Sequence, residues 1–233
     1  MDSAKELAAY QWKSKVAFLV QEFIDFSNEI SVMYHRFPGV DQGFVTSVCV
    51  KEMLTVTGDG ISTIEELMAD YPRAALQLDR FQETEGELIK QVPDAGEQVL
   101  LEPIGNHSRG TTFLNGNHHI DQQLTDVFHA IGREMDEVYY GRFDLKCTSM
   151  ERLKEGKDIR ILEFNGVAGE PAHIYDPDYP VWHAYRDIFA HWKIIYKISR
   201  QQLKSGVEAM TLGAAAGAVK DYRQYMARAK GSL

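Results

Sequence analysis

Two stretches decide the fold of this chain: VYYGRFDLKC at residues 138–147 and DIRILEFNG at residues 158–166. Both carry the β-branched and aromatic residues that strands favour, and a polar segment rich in lysine and glutamate joins them. They predict an antiparallel hairpin. We expect Asp144 to lie opposite Glu163 in it, which also places Arg142 opposite Asn165.

The predicted hairpin has one polar and one apolar face, because side chains alternate between the two faces of a strand. The polar face carries the four side chains just named. The other face should pack into a core, and it carries Phe143, Leu145, Leu162 and Phe164.

The polar face has the chemistry of a magnesium site. Directly opposed side chains have Cβ atoms about 5 Å apart, where two carboxylates repel each other unless a cation lies between them. Magnesium prefers hard oxygen ligands, and Asn165 can add an amide oxygen to those of Asp144 and Glu163. Arg142 could then neutralise charge on a phosphoryl group. The alternative is a solvated hairpin face on which Arg142 serves only as an ion-pair partner.

Composition limits the function classes. A chain of 233 residues with 44% hydrophobic and 25% charged residues is typical of a folded globular protein. Its formal net charge of -9 argues against an electrostatic grip on nucleic acid or on an anionic membrane. Any phosphate must therefore be bound by a local site.

The cysteines and the lack of long apolar segments predict the cellular compartment of the protein. Cys49 and Cys147 show neither a C-x-x-C spacing nor a disulfide framework, so we expect buried thiols in a reducing compartment. No apolar run approaches the roughly 18 residues of a membrane span, and the N-terminus lacks the apolar core of a signal peptide. We expect a cytoplasmic protein.

Hydrophobic patterning along the rest of the chain predicts an α+β protein. Asp59 and Gly60 form a predicted turn, and Ser62 and Glu65 form a predicted capping box that begins a helix. The further predicted strands are 16–24, 29–37, 43–56, a short one near Val92 and 99–101, and the further predicted helices are 119–135, 185–196 and 211–226.

The run GRFD, followed by EFNG, resembles the C-terminal signature of ATP-grasp enzymes such as D-alanine–D-alanine ligase, glutathione-synthesising ligases and cyanophycin synthetase. In that family the Asp, Glu and Asn hold two magnesium ions against the ATP phosphates, and the Arg contacts the transferred phosphoryl group. The resemblance implies these roles for Asp144, Glu163, Asn165 and Arg142, with Mn²⁺ as an alternative ion. It also implies an ATP-grasp fold, mainly its C-terminal subdomain, with an antiparallel sheet flanked by helices.

The resemblance extends toward the N-terminus, where it implies a nucleotide site. FLVQEFI is similar to the hinge strand whose backbone meets the adenine, which implies that role for Val20, Gln21, Glu22 and Phe23. Glu29 resembles the acid that binds the ribose hydroxyls; the alternative is an exposed strand residue. Lys51 could reach phosphate from its strand or could simply be solvated.

Two stretches resemble segments that lie near the substrate in members of the family. VTGDGISTIEEL at 56–67 is similar to a stretch of the glutathione and cyanophycin branches, and GNHSRGT at 105–111 lies where relatives carry a loop near phosphate. Arg109 in that loop is a candidate for binding an acyl phosphate or a substrate carboxylate, although loop arginines are also common on surfaces. After the hairpin, the resemblance implies contact with the amine substrate for Gly169, Glu170 and His173; the alternative is an ordered structural loop.

The chain also departs from the family. The lysines before the hinge, Lys5, Lys13 and Lys15, lie in a helix-like polar segment, and no glycine-rich phosphate loop replaces the usual lid. Ala168 stands where a proline commonly follows the motif. We therefore expect residues 1–24 to be a remnant of the N-terminal subdomain with the hinge strand, and residues 25–233 to be the C-terminal subdomain.

These observations predict an ATP- and magnesium-dependent carboxylate–amine ligase that acts through an acyl phosphate and is incomplete as this chain. The expected partners are a small carboxylate and an amine that is an amino acid or peptide-like, together with a second copy of the chain or an N-terminal partner. The alternative is a non-catalytic nucleotide- or ligand-binding module, or a subunit that needs a partner.

Overall fold

The computed structural model describes residues 4–14 and 16–230, so Lys15 lies outside the described residues. The chain divides into two compact units. The first joins the residues before Ile24 with those after Arg200, and the second is Ile24–Arg200. The assignment of 1–24 and 25–233 to two ATP-grasp subdomains stays a prediction.

The second unit is an α+β structure built on a five-stranded antiparallel sheet, with helices beside it, as the sequence predicted. The strand order in this sheet is β5–β2–β1–β6–β7, and β3 and β4 pair in a separate two-stranded sheet. The strands are β1 (Asn28–Arg36), β2 (Gly43–Glu52), β3 (Leu54–Thr57), β4 (Gln98–Glu102), β5 (Thr112–Asn115), β6 (Tyr140–Cys147) and β7 (Ile159–Asn165).

Among the described residues, α-helices lie in three of the six connections between consecutive strands, and also before β1 and after β7. They are α1 (Ala4–Lys13), α2 (Ile64–Asp70), α3 (Pro72–Ala75), α4 (Leu78–Thr84), α5 (Gln122–Glu134), α6 (Met150–Lys154), α7 (Val181–Lys204) and α8 (Leu212–Lys230). In the described part of the chain, no helix has the length and apolar character needed to cross a membrane.

One face of the large sheet forms the main core under α5 and α6. Val32 and Tyr34 of β1 and Phe143 of β6 are fully buried there, and Phe128 of α5 packs on them from the helix side. Burying a side chain of this size stabilises the fold by roughly 1.5 to 3 kcal/mol. The opposite face carries polar side chains together with a smaller apolar cluster of Met33, Tyr140 and Ile198.

The predicted hairpin register is confirmed where the polar side chains lie. Arg142 pairs with Asn165 and Asp144 pairs with Glu163. Beyond this point a β-bulge shifts the register, so that Leu145 lies opposite Ile161 and not opposite Leu162. A bulge places two residues of one strand against one of its neighbour, which alternation alone does not reveal.

Two predicted strands are wrong. Residues 16–26 form neither helix nor strand, and Leu19 and Phe23 are largely exposed. Among the described residues no strand pairs with this segment, and a strand needs such a partner for its backbone. The short strand near Val92 is also missing. Pro93 follows it and has no N–H to donate, and the segment folds into a turn in which the Gly96 N–H donates to the Gly58 carbonyl.

The helix cap that the sequence placed at Ser62 lies one residue later. Thr63 caps α2, with Glu66 returning the reciprocal bond. The Ser62 N–H and hydroxyl instead donate to the Asp59 carboxylate in the preceding turn, and Glu65 accepts a hydrogen bond from Gln82. Both cysteines are buried free thiols, as predicted, and burial raises the pKa of Cys49 to about 12.

Candidate functional site

The candidate site lies on the polar face of the five-stranded sheet. Asp144 of β6 has Ser31 of β1 on one side and Glu163 of β7 on the other. One row further along β1, Glu29 lies between Lys51 of β2 and Lys146 of β6. The sheet register therefore brings the predicted metal residues and the predicted ribose acid to the same face of adjacent strands.

Asp144 is the centre of a hydrogen-bonded cluster and is only 6% exposed. Arg142 binds its carboxylate with two bonds, Nε to Oδ1 at 2.9 Å and NH2 to Oδ2 at 3.0 Å. Asn165 donates its side-chain amide to Oδ2 at 3.1 Å. Glu163 is exposed, and its carboxylate has no hydrogen-bond partner among the described residues. The four predicted residues thus occupy paired positions of β6 and β7, and hydrogen bonds join Arg142, Asp144 and Asn165. Metal binding by them stays a prediction.

The donor set fits magnesium in its chemistry. Two opposed carboxylates and one amide oxygen are hard ligands, and magnesium takes few of these from a protein because it keeps water and phosphate oxygens. Arg142 now holds both oxygens of Asp144, so an ion would have to share or replace the guanidinium. In the described part of the chain, no group of three or more His, Cys, Asp or Glu side chains could hold a metal ion. The site therefore has fewer charged ligands than an all-protein metal cage.

Glu29 and Lys51 form a buried ion pair. Lys51 Nζ lies 2.8 Å from Glu29 Oε1, and the two side chains are 5% and 8% exposed. Both alternatives, an exposed Glu29 and a solvated Lys51, are therefore wrong. Gly105 covers the carboxylate so closely that any Cβ at that position would overlap it. Contact with ribose by Glu29 stays a prediction, and it would require the segment around Gly105 to move.

The predicted adenine-binding residues belong to the first unit. Val20, Gln21, Glu22 and Phe23 are exposed and lie outside helices and strands. Their contact with adenine stays a prediction.

Arg109 lies in a short 3-10 turn, His107–Arg109, and is half exposed. Its NH1 lies 3.4 Å from the Glu102 carboxylate, which is buried and lies 3.1 Å from Arg80 NH2. The Arg80 contact lacks hydrogen-bond geometry and is an electrostatic contact only. Arg73 stabilises the same loop, because its guanidinium donates hydrogen bonds to the carbonyls of Gly110, His107 and Thr111. The loop is thus held in place, and Arg109 keeps an exposed guanidinium; its substrate role stays a prediction.

The loop after β7 packs against the hairpin. Gly169 is buried, and the Glu170 carbonyl accepts a hydrogen bond from Arg142 NH1 at 3.0 Å. The Glu170 carboxylate accepts one from the Tyr175 hydroxyl. The loop therefore contacts the arginine directly, which places Gly169 and Glu170 next to the candidate site.

His173 is held within the protein. Its Nδ1 lies 2.7 Å from Ser47 Oγ and its Nε2 lies 3.1 Å from Asp187 Oδ2. Burial lowers the pKa of His173, although the hydrogen bond that its Nε2–H donates to Asp187 opposes this. The ring is 1% exposed and both nitrogens have partners. Substrate contact by His173 stays a prediction, and it would require at least one of these bonds to open.

Several residues of the site region were missed by sequence reasoning. Glu102 contacts Arg80 and Arg109, and Asp187 contacts His173. The sequence does not reveal these pairs, because only the fold brings their members together. Tyr140 was findable, because alternation places it on the same face of β6 as Arg142 and Asp144. Its hydroxyl is 3.0 Å from His191 Nδ1 of α7, and this histidine is buried.

Comparison with known proteins gives little further information. No family model and no curated protein matches the chain. Among solved structures, the bifunctional glutathione synthetase from Pasteurella multocida is similar at 14% sequence identity with a TM-score of 0.41. The match covers 71% of this chain and 24% of that chain, so it spans about a quarter of that protein's length. A likeness this weak carries no argument about function.

Proposed function

We propose that this chain carries the magnesium- and phosphate-binding hairpin of an ATP-dependent carboxylate–amine ligase. One observation supports this above all: Asp144, Glu163 and Asn165 share one face of β6 and β7, with Arg142 beside them. Oxygen ligands next to a guanidinium suit a nucleotide phosphate and its counterion. The motif resemblance rests on these same four residues.

The proposed reaction has two steps. An oxygen of the substrate carboxylate bonds to the γ-phosphorus of ATP while the bond to the bridging oxygen breaks, so ADP leaves and an acyl phosphate forms. The amine nitrogen then bonds to the acyl carbon, inorganic phosphate leaves, and the nitrogen loses a proton. Both partners are expected to be small molecules, with an amino acid or a peptide-like compound as the amine.

The chain's own groups act by positioning and by charge. Magnesium, when bound, supplies neutralisation of phosphate charge. Arg142 would turn from Asp144 to the transferred phosphoryl group, which its planar guanidinium can bind through two hydrogen bonds. Asp144, Glu163 and Asn165 would hold the ion by their oxygens. No protein nucleophile is needed, since geometry and charge carry the reaction.

A second candidate function is a non-catalytic nucleotide-binding module. The observation that favours it is that key groups are already satisfied inside the protein: Arg142 occupies both oxygens of Asp144, and Lys51 occupies Glu29. A ligase would have to exchange these contacts on binding substrate. A module that only binds nucleotide needs no such exchange at Arg142.

Release of ADP separates the two functions. We expect little ADP release from ATP by this chain alone, since it is expected to be incomplete. Once an N-terminal ATP-grasp segment is supplied, we expect ADP release that needs both magnesium and an amine from a pool of amino acids and dipeptides. Asp144→Asn should abolish release, whereas Asp126→Asn, on the exposed side of α5, should leave it unchanged. Nucleotide binding without amine-dependent release would favour the non-catalytic module.

A further inference from the structure

A pocket of about 230 Å³ lies between the loop after β7 and helix α7. Its apolar walls come from three loop residues and three helix residues: Val167, Ala168, Pro171, Ile188, Trp192 and Ile195. All of them belong to the second unit, Ile24–Arg200. The pocket is therefore a feature of one compact body.

The polar groups of the pocket are neutral at pH 7, with one exception. Burial, and then the nearby His173, lower the pKa of His191 to about 4, so its ring is uncharged. Burial raises the pKa of its partner Tyr140 to about 12. Only Glu170 brings a charge, and its carboxylate already accepts a hydrogen bond from Tyr175. An acidic side chain placed inside this pocket would lose hydration and would meet the like charge of the Glu170 carboxylate.

The size of the pocket suits one ring or one branched chain. An apolar cavity of about 150 Å³ is large enough to bind benzene. A volume of about 230 Å³ therefore admits a benzyl-sized group with little space to spare. Trp192 is 60% exposed and so offers its ring to solvent at this pocket.

The pocket lies at a fixed distance from the candidate site. Tyr140, Arg142 and Asp144 follow one another on the same face of β6, and alternate residues of a strand are about 7 Å apart. Tyr140 lines the pocket, and Arg142 NH1 donates to the carbonyl of Glu170, which also lines it. A molecule whose reacting group lies near Arg142 can thus reach the pocket with a side group of ordinary length.

We propose that this pocket binds the apolar, aromatic-sized side group of the amine substrate while the amine itself lies toward Arg142. The proposal rests on the proposed ligase function and names the substrate class for it. The pocket walls select against acidic side chains, because these would lose hydration inside it and would be repelled by the Glu170 carboxylate.

The test uses two probes that share one headgroup, L-phenylalaninamide and the α-amide of L-glutamate, added to the full chain without nucleotide. Saturation-transfer NMR reports which probe binds. We expect saturable binding of phenylalaninamide and at least about tenfold weaker binding of the glutamate α-amide. Trp192→Ala removes an aromatic wall and should weaken phenylalaninamide about tenfold. Ala168→Phe, at an exposed loop position, should fill the pocket and prevent binding.

Trp182→Ala is the matched control. Trp182 lies on the same helix and is 78% exposed, but it does not line the pocket. Its loss should leave binding unchanged, with circular dichroism confirming that all variants fold. Equal binding of the two probes, no binding of phenylalaninamide, or equal effects of the two tryptophan variants would overturn the proposal.

The failure of this proposal can be told apart from failure of the ligase function. Magnesium-dependent nucleotide binding is measured on the same protein samples. If nucleotide binds with magnesium but phenylalaninamide does not bind, the pocket proposal alone is wrong. If phenylalaninamide binds through Trp192 and nucleotide does not bind, the ligase function is wrong and the pocket stands as a site for apolar amines.

Discussion

At the scale of single residues, Gly105 shows how tightly the region around Glu29 is packed. A Cβ added to Gly105 would overlap the Glu29 carboxylate, which is buried and paired with Lys51. We predict that Gly105→Ala breaks or strains this pair and lowers the free energy of unfolding by about 1 to 3 kcal/mol, the usual cost of overpacking. Urea unfolding measures the change.

The control for this prediction is Gly166→Ala. A Cβ at Gly166 would have open space around it, so the variant should be close to wild type in stability. If Gly105→Ala were equally harmless, the buried Glu29–Lys51 pair would have room to relax, and a rigid closure over Glu29 would be disproved.

Two buried histidines make stability depend on pH. Burial is the main cause that lowers the pKa of His35 and of His191 from 6.5 to about 4 in the folded chain. The unfolded chain therefore binds more protons than the folded chain between these values. Stability is full above pH 6.5 and is lost as pH falls toward 4. Each shift corresponds to roughly 3 kcal/mol at its limit.

We predict that His35→Phe makes this pH dependence weaker. His35 stacks on Phe44, and its Nδ1 has no hydrogen-bond partner among the described residues, so phenylalanine can take its place. Urea unfolding at pH 7 and pH 4.5 measures the effect. His183→Phe, at an exposed position of α7, should keep the wild-type difference between the two pH values. An unchanged pH dependence in His35→Phe would contradict the assignment.

At the scale of elements, the sequence predicted the register of the β6–β7 hairpin at Asp144 and Glu163 but not the β-bulge beyond Asp144. Alternation around Asp144 and Glu163 was sufficient to pair β6 with β7, because a shift of one residue would bring Phe143 out of the core. The bulge beyond Asp144 was not predictable, since alternation carries no signal for one extra residue. The prediction of a strand at 16–24 was wrong for another reason. A strand needs a neighbouring strand to pair with its backbone, and the hydrophobicity of a segment does not show whether such a neighbour exists.

The 3-10 turn Ala172–Tyr175 is attached to the sheet by side chains that sequence could not connect. His173 Nε2 meets Asp187, so in its neutral form Nδ1 accepts from Ser47. We predict that Ser47→Ala leaves a buried acceptor without a donor and costs about 1 to 3 kcal/mol of stability. Hydrogen exchange of the amides in this turn should also become faster.

Ser31→Ala is the matched control for Ser47→Ala. Both serines are 1% exposed, but the Ser31 hydroxyl has no hydrogen-bond partner among the described residues. Its removal should be neutral or slightly stabilising, because an unpaired buried hydroxyl is lost. Equal destabilisation by the two variants would show that the Ser47–His173 bond does not anchor the turn.

At the scale of the whole molecule, charge makes the role of magnesium testable. The chain carries a formal net charge of -9, so a polyanionic nucleotide is repelled unless local charges compensate. Arg142 already binds Asp144, and Lys51 already binds Glu29. A nucleotide on the polar face of the sheet should therefore depend on a divalent cation held by Asp144, Glu163 and Asn165.

Calorimetric binding of a non-hydrolysable ATP analogue, with magnesium and with EDTA, tests this claim most directly. We predict that magnesium tightens binding at least about tenfold, that Glu163→Gln removes this gain, and that Glu163→Gln folds as stably as wild type because its side chain is exposed. Glu52→Gln, an exposed glutamate on β2, should keep the full gain. Equal affinity with and without magnesium, or a full magnesium gain in Glu163→Gln, would contradict the assignment of the hairpin as a magnesium–nucleotide site.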